Sequence, residues 1–211
     1  MDLESATARL VAHYAPQAQI RPLSWSRGET RVIEAGTGEP LLLIHGGLGD
    51  AFAWLPIVDQ LSLRHAVFAV DLPGHGLSDP FDFRGADLLH LMADFLQEAA
   101  RGLDLDRVDI VGSSLGGLFS AAYALHHPKR VSRLILVGMP GGYKHGVPLP
   151  LRVLGLPLVG QSIGRMVMSK PSREGNRKFW GQVLVTHPEE VHDAVLDADV
   201  ASQIRVTSGA S

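Results

Sequence analysis

"IVGSSLGG", residues 110–117, decides how this sequence folds. An apolar run ends at Gly112, a serine stands two places on, and Gly116 and Gly117 follow Leu115. With Gly112, Ser114 and Gly116 in register, the stretch fits G-x-S-x-G. At a strand-to-helix junction this pattern makes a turn too sharp for side chains two residues either side of the serine. The serine is then held at the tip in a strained conformation. Its hydroxyl projects above the sheet, and the N–H of Leu115 lies at a helix N-terminus, aimed where an oxyanion would form. The context fits: "DRVDIVGSS" reads as a strand, and "SLGGLFSAAYALHHP" as a helix of small residues halted before Pro128. The bland alternative is a glycine-rich turn with a capping serine.

Outward from this point, strands alternate with helices. "PLLLIHGG" (40–47) and "VSRLILVGMP" (131–140) are continuous apolar runs, as in strands buried on both faces, and "HAVFAVDLPGHG" opens on a short β-rich run stopped by Pro73 and Gly74. "TRVIEAG" (30–36) has strand-like spacing. Asp50 is placed to cap a helix carrying Trp54, Ile57, Val58 and Leu61, and residues 84–101 repeat Leu88, Leu91, Met92, Phe95 and Leu96 at helical spacing. The N-terminal stretch predicts an amphipathic helix with Leu3, Leu10 and Val11 on one face. The expected fold is α/β, a mostly parallel sheet flanked by helices.

After Pro140 the texture changes. "GGYKHGVPLPLRVLGLPLVG" is loop-like, "SREGNRKFWGQVLV" reads as a helix, and "THPEEVHDAVLDADVASQ" opens with a capping box from Thr186 to Glu189 and a proline in the first turn. The spacing therefore divides the chain into a core, 1–140, and a helical lid or cap segment, 141–211.

Composition narrows the function classes. Of 211 residues, 45% are hydrophobic and 19% charged, and the net charge of −3 is scattered, with no basic block for nucleic acid. The absence of cysteine removes disulfides, thiolate metal sites and a cysteine nucleophile. The N-terminus lacks the charged start and apolar core of a signal peptide, so a cytoplasmic location is expected. "LPLRVLGLPLVGQSIGRMVM" (149–168) is broken by Arg152, Pro157, Gln161 and Arg165, which argues for an apolar lid and against a membrane span.

From about residue 28 to 140 these stretches resemble the α/β-hydrolase fold family. "LLLIHGGLGD" is similar to its strand ending in His-Gly before the oxyanion loop. "VFAVDLPGHGLSD" looks like its Asp-x-x-Gly-x-Gly-x-Ser segment, and "VDIVGSSLGG" is the elbow. Trp54 and Leu61, and the stretch "HHPKRVSRLILVG", also fall in place. The resemblance implies that Ser114 is the nucleophile, that the amides of Gly47 and Leu115 form the oxyanion hole, and that His45 shapes the loop. It implies a serine hydrolase acting without a cofactor on small acyl compounds, carboxylic esters first among them, through an acyl-enzyme on Ser114. One departure is Ser113, where many relatives carry histidine. A serine at the elbow also argues against the branches that use aspartate there.

A serine needs a histidine to take its proton and a carboxylate to orient that histidine, in the order Ser, Asp or Glu, His. Strands to carry them are not read after residue 170: "QVLVTH" is the only short apolar run, and "GMPGGYK" after the strand at 131–137 has no carboxylate. His187 and His192, with Asp193, Asp197 and Asp199, read as a polar helix face and not as a triad. His187 and His192 are five apart and His126 and His127 adjacent, so neither pair predicts a metal site. Asp71 and His75 read as loop-setting residues. The expectation is a family member lacking its C-terminal strands and catalytically incomplete, with the strand at 131–137 left as an edge that invites self-association. The competing reading is a non-catalytic protein that keeps the elbow as architecture and binds a ligand or partner.

Overall fold

The computed structural model describes residues 2–47, 49–139, 171–183 and 186–208. The chain divides into two compact units, Val11–Gly141 and a second made of Met1–Leu10 with Gly142–Ser211. The apolar stretch at 149–168 lies outside the described residues. No helix among the described residues is long and apolar enough to cross a membrane.

The first helix, Leu3–Tyr14 (α1), buries Leu3, Leu10 and Val11, as the spacing predicts. Among the described residues six strands follow: Gln19–Trp25 (β1), Gly28–Ala35 (β2), Glu39–Ile44 (β3), His65–Val70 (β4), Val108–Ser113 (β5) and Val131–Val137 (β6). They form one sheet in the order β1-β2-β4-β3-β5-β6. β3, β4, β5 and β6 run parallel, while β2 is antiparallel to both β1 and β4. The sequence reading missed β1. It contains Pro22 and buries only Leu23, and it lies at the sheet's edge, where a strand tolerates a residue with no N–H.

Among the described residues, Leu55–Ser62 (α2), Leu88–Gly102 (α3) and Leu115–His126 (α4) cover this sheet. Alternation along the strands explains why both faces are apolar. Val32, Leu42, Ile44, Phe68, Val70 and Ile110 join Leu91, Met92, Phe95 and Leu96 of α3 and Phe119 and Tyr123 of α4 in one buried cluster. The intervening residues Ile33, Leu41, Leu43, Val67 and Ala69 are equally buried, and α2, with Leu55 and Val58 inward, packs along β4 and β2.

Helix starts differ from the sequence reading in instructive ways. Asp50 does cap, accepting from Phe52 N at 3.1 Å, but the turn it begins is a 3-10 segment, Ala51–Trp54, and α2 starts only at Leu55 with Pro56 in its first turn. The helix read from residue 84 begins at Leu88, because Asp87 takes the capping role by accepting from His90 N at 3.2 Å.

β6 corrects a further expectation. It reads as a buried strand, yet Ile135, Leu136 and Val137 are 52%, 40% and 49% exposed. It pairs only with β5, and among the described residues nothing lies on its far side. Val131 and Leu134 alone pack against the core.

In the second unit, Arg173–Val183 (α5) precedes a one-turn 3-10 segment, Pro188–Glu190, and Asp193–Ser208 (α6). The capping box read at Thr186 does not start a continuous helix. His187 takes the N-cap position without a side-chain bond, Val191 turns extended, and α6 starts afresh, with His192 Nδ1 accepting from Ala194 N at 3.1 Å. Arg177 stabilises the turn by donating to the carbonyls of Pro188 and Val191 at 2.6 and 3.1 Å.

Candidate active site

Strand order directs attention to one place. From β3 the chain crosses to β4 on one side, while β5 and β6 extend the sheet on the other. Between β3 and β5 the winding reverses, and crevices for ligands open there, beyond the carboxyl ends of the strands. Ser114 follows β5 directly, and His45, Gly46 and Gly47 follow β3.

Ser114 has φ 50° and ψ −121°, in the left-handed half of backbone space that a side chain rarely enters. Its amide donates to Val137 O at 2.8 Å, which pins the turn to the end of β6. The hydroxyl makes no capping bond, and the residue is exposed, so the capping-serine alternative fails. The glycines are required by contact. A β-carbon on Gly112 would lie 2.6 Å from both Gly117 Cα and Ser120 Oγ, and one on Gly116 would collide with the carbonyls of Ile44 and His45. The turn can therefore close only if both residues are bare.

The loop after β3 comes up against this elbow. A β-carbon on Gly46 would be 3.1 Å from Ser114 Cβ, and one on Gly47 would be 2.5 Å from Leu115 Cδ1. The fold thus brings together the three residues singled out in the sequence, Gly47, Ser114 and Leu115. In the first turn of α4, Gly117 N and Leu118 N turn back to Ser114 O, while the N–H groups of Leu115 and Gly116 have no intrahelical acceptor.

His45 is fully engaged in holding this loop. Its Nε2 accepts from Leu72 N at 2.9 Å, which places the proton on Nδ1, 2.7 Å from Gly46 O. Burial, with the neighbouring His75 adding to it, pushes its pKa down to about 3, so the ring stays neutral and has no lone pair to offer Ser114.

A network that sequence reasoning only touched fixes the loop after β4. Buried Asp71 accepts from Ala51 N at 2.7 Å and Leu77 N at 2.9 Å, tying that loop to the one carrying Gly47. Thr30 Oγ1 donates to Asp71 O, and Ser78 Oγ donates to Leu72 O at 2.9 Å. The two ring nitrogens of His75 face Pro73 O at 3.0 Å and Gly47 O at 3.2 Å. The Asp and Ser among the Gly and Pro of "DLPGHGLSD" are the signal for such side-chain-to-backbone bonds.

The polar residues of the second unit are taken up locally. Asp197 pairs with Arg173, Asp193 with Arg177 at 2.8 Å, and Asp199 accepts from Trp180 Nε1 at 3.0 Å. Burial raises the Asp199 carboxyl, with hydrogen bonds from Trp180 and Gln203 opposing the shift. His187 Nδ1 lies 3.1 Å from Glu189 Oε1, and with Glu190 these exposed groups bring one ligand atom each within 4.8 Å of one another.

Comparison with known proteins bears directly on this geometry. Residues 39–163 match the family model described as the alpha/beta hydrolase fold, more than half of the chain and spanning both the Gly47 loop and the Ser114 elbow. The chain belongs to the α/β-hydrolase family. An uncharacterized protein of Mycobacterium tuberculosis is 37% identical over 150 residues, which cover 70% of this chain and 42% of that protein. The 2-hydroxy-6-oxo-2,4-heptadienoate hydrolase of Pseudomonas putida is 28% identical over 195 residues, 81% of this chain and 69% of that one. Among solved structures, a carboxylesterase from Bacillus subtilis superposes with a TM-score of 0.74 at 19% identity, over 95% of this chain and 66% of its own, a likeness of fold. The chain thus spans about two fifths of the mycobacterial relative's length and two thirds of the esterase's.

Proposed function

We propose that this chain carries the nucleophile and oxyanion hole of a serine hydrolase acting on small acyl compounds, carboxylic esters first among them. The observation that carries this reading is Ser114 itself, exposed, at φ 50°, and seated at the N-terminus of α4 beside Gly46 and Gly47. A backbone in that conformation costs on the order of 1–3 kcal/mol and persists where function requires the geometry. The hydrolase and esterase relatives support the same chemistry.

In the proposed step, Ser114 Oγ attacks the acyl carbon while its proton passes to a base. The carbonyl oxygen becomes an oxyanion held by the N–H groups of Leu115 and Gly47. The tetrahedral intermediate expels the alcohol and leaves the acyl group on Ser114, and water later removes it. Among the described residues no imidazole is hydrogen-bonded to Ser114, so the histidine and its carboxylate are assigned to polypeptide outside them. Losing the base of a serine hydrolase costs about a millionfold in turnover, leaving roughly 10³–10⁴ over water from oxyanion hole and binding. The described residues alone are therefore a slow catalyst.

An alkyl fluorophosphonate probe tests the reading. Labelling of Ser114 that disappears in Ser114→Ala supports a nucleophile. A folded chain that stays unlabelled even over prolonged exposure supports the competing role, a binding protein in which the elbow is architecture.

A further inference from the structure

The loop after β4 sets one imidazole between two carbonyl oxygens. His75 Nδ1 lies 3.0 Å from Pro73 O, and its Nε2 lies 3.2 Å from Gly47 O. Both oxygens can only accept, whereas a neutral ring carries one N–H and one lone pair. The imidazolium, with two N–H groups, satisfies both contacts at once. In the neutral ring one nitrogen turns its lone pair toward an oxygen. The backbone holds the ring in this position. His75 N donates to Leu72 O and to Ser78 Oγ at 3.0 Å, and Ser78 N donates to His75 O at 2.9 Å.

What the ring touches is the loop proposed to hold the oxyanion. Gly46 O accepts from His45 Nδ1–H at 2.7 Å and from Gly49 N at 3.1 Å. In a trans peptide the N–H points opposite the carbonyl, so these bonds turn Gly47 N–H the other way. Gly47 itself has no side chain to restrain its next torsion. Among the described residues, His75 is the only hydrogen-bond partner of Gly47 O. The ionisable groups on the loops around the ring are His45, Asp50, Asp71 and Asp79. The His45 ring is centred 5.2 Å away, and burial keeps it neutral. The carboxylates serve backbone N–H groups: Asp50 that of Phe52, Asp71 those of Ala51 and Leu77, Asp79 that of Glu29. None of the four sets a positive charge beside His75.

We propose that His75 is a positioning residue of the oxyanion hole, holding Gly47 in place as the imidazolium and releasing it on losing a proton. The neutral ring keeps the shorter contact, to Pro73 within its own loop, and Gly47 O loses its donor. The Gly47 amide then loses its fixed aim at the carbonyl oxygen above Ser114. This role rests on the serine-hydrolase reading, while the clamp on Gly47 is a property of the folded chain alone.

The test is the rate of Ser114 labelling by an alkyl fluorophosphonate, followed over prolonged exposure between about pH 5.5 and 8, the range in which imidazole changes charge. His75→Gln carries an N–H donor at every pH and should behave as a permanently closed clamp, whereas His75→Leu has none. The ratio of parent to His75→Gln rates, which cancels the ionisation of the serine, should fall severalfold as pH rises. His75→Leu should be about tenfold slower than His75→Gln throughout, a part of the 10²–10³ that a lost oxyanion donor costs. A ratio that stays flat overturns the proposal. Circular dichroism verifies that the variants fold. Nitrogen-15 spectra of the parent chain give a readout that needs no labelling. The His75 ring should hold both protons at the acid end, and the Gly47 amide resonance should move in step as one is lost. A Gly47 amide that ignores the ring overturns the clamp. If Ser114 labels in no variant while Gly47 follows the ring, the clamp stands and the serine-hydrolase reading fails.

Discussion

Gly116, in the first turn of α4, rests directly on the carbonyl of His45 at the end of β3, with no room between them for a single methyl group. The next oxygen back, Ile44 O, would lie 2.5 Å from a β-carbon there. Both obstacles are backbone at the buried end of β3, Ile44 its last residue and His45 the next, so neither can move without shifting the sheet. Gly116→Ala should therefore destabilise the fold by about 3 kcal/mol, the upper range for overpacking. Urea unfolding measures this, and a midpoint equal to that of the parent chain contradicts it.

Asp71 predicts a second loss. Its carboxylate is fully buried and serves the amides of Ala51 and Leu77, which belong to two different loops. Asp71→Ala leaves both donors without an acceptor inside the protein, at about 1–3 kcal/mol each. The variant should unfold at markedly lower urea. It should also lose fluorophosphonate labelling while still folded, because the loop bearing Gly47 is released from its anchor.

His45 predicts a pH dependence whose sign follows from its burial. Its pKa falls from 6.5 to about 3, so below pH 6.5 the unfolded chain binds a proton that the native ring refuses. Stability therefore rises with pH between about 3 and 6.5, by at most about 1.4 kcal/mol per unit, and this contribution levels off above 6.5. His45→Asn should remove that part of the slope. Unfolding free energies compared between pH 5 and 6.5 for the two proteins check it, and equal slopes contradict it.

The edge of β6 makes self-association the expected behaviour of the chain in isolation. Ile135, Leu136 and Val137 leave apolar side chains exposed, and among the described residues β6 pairs with β5 alone. Ile135→Lys should lower the mass observed by light scattering after size exclusion at high protein concentration. A parent chain that remains monomeric there removes the basis for this expectation.

Much of the fold is legible because alternation and glycine placement are local signals. The apolar runs of β3, β4 and β5 end where Pro or Gly stops them, and the elbow declares itself through Gly112, Ser114 and Gly116. β1 escapes notice because Pro22 and its polar neighbours lower its strand signal, while an edge position tolerates both. β6 reads as buried because apolar content reports what a strand prefers and not what covers it. The Asp71 network is harder still. Its acceptor and donors are separated by 20 and 6 residues in sequence, so only the folded loops bring them together. The ion pairs of Asp193 and Asp197 with Arg177 and Arg173 likewise join two helices whose docking no single-helix pattern encodes.

Peptide mapping by mass spectrometry after prolonged exposure of the folded chain to p-nitrophenyl acetate tests the central claim most directly. The account predicts an acetyl group on the peptide containing Ser114, formed with release of p-nitrophenol and absent from Ser114→Ala. Acetylation confined to other residues, or unchanged when Ser114 is replaced, would contradict it.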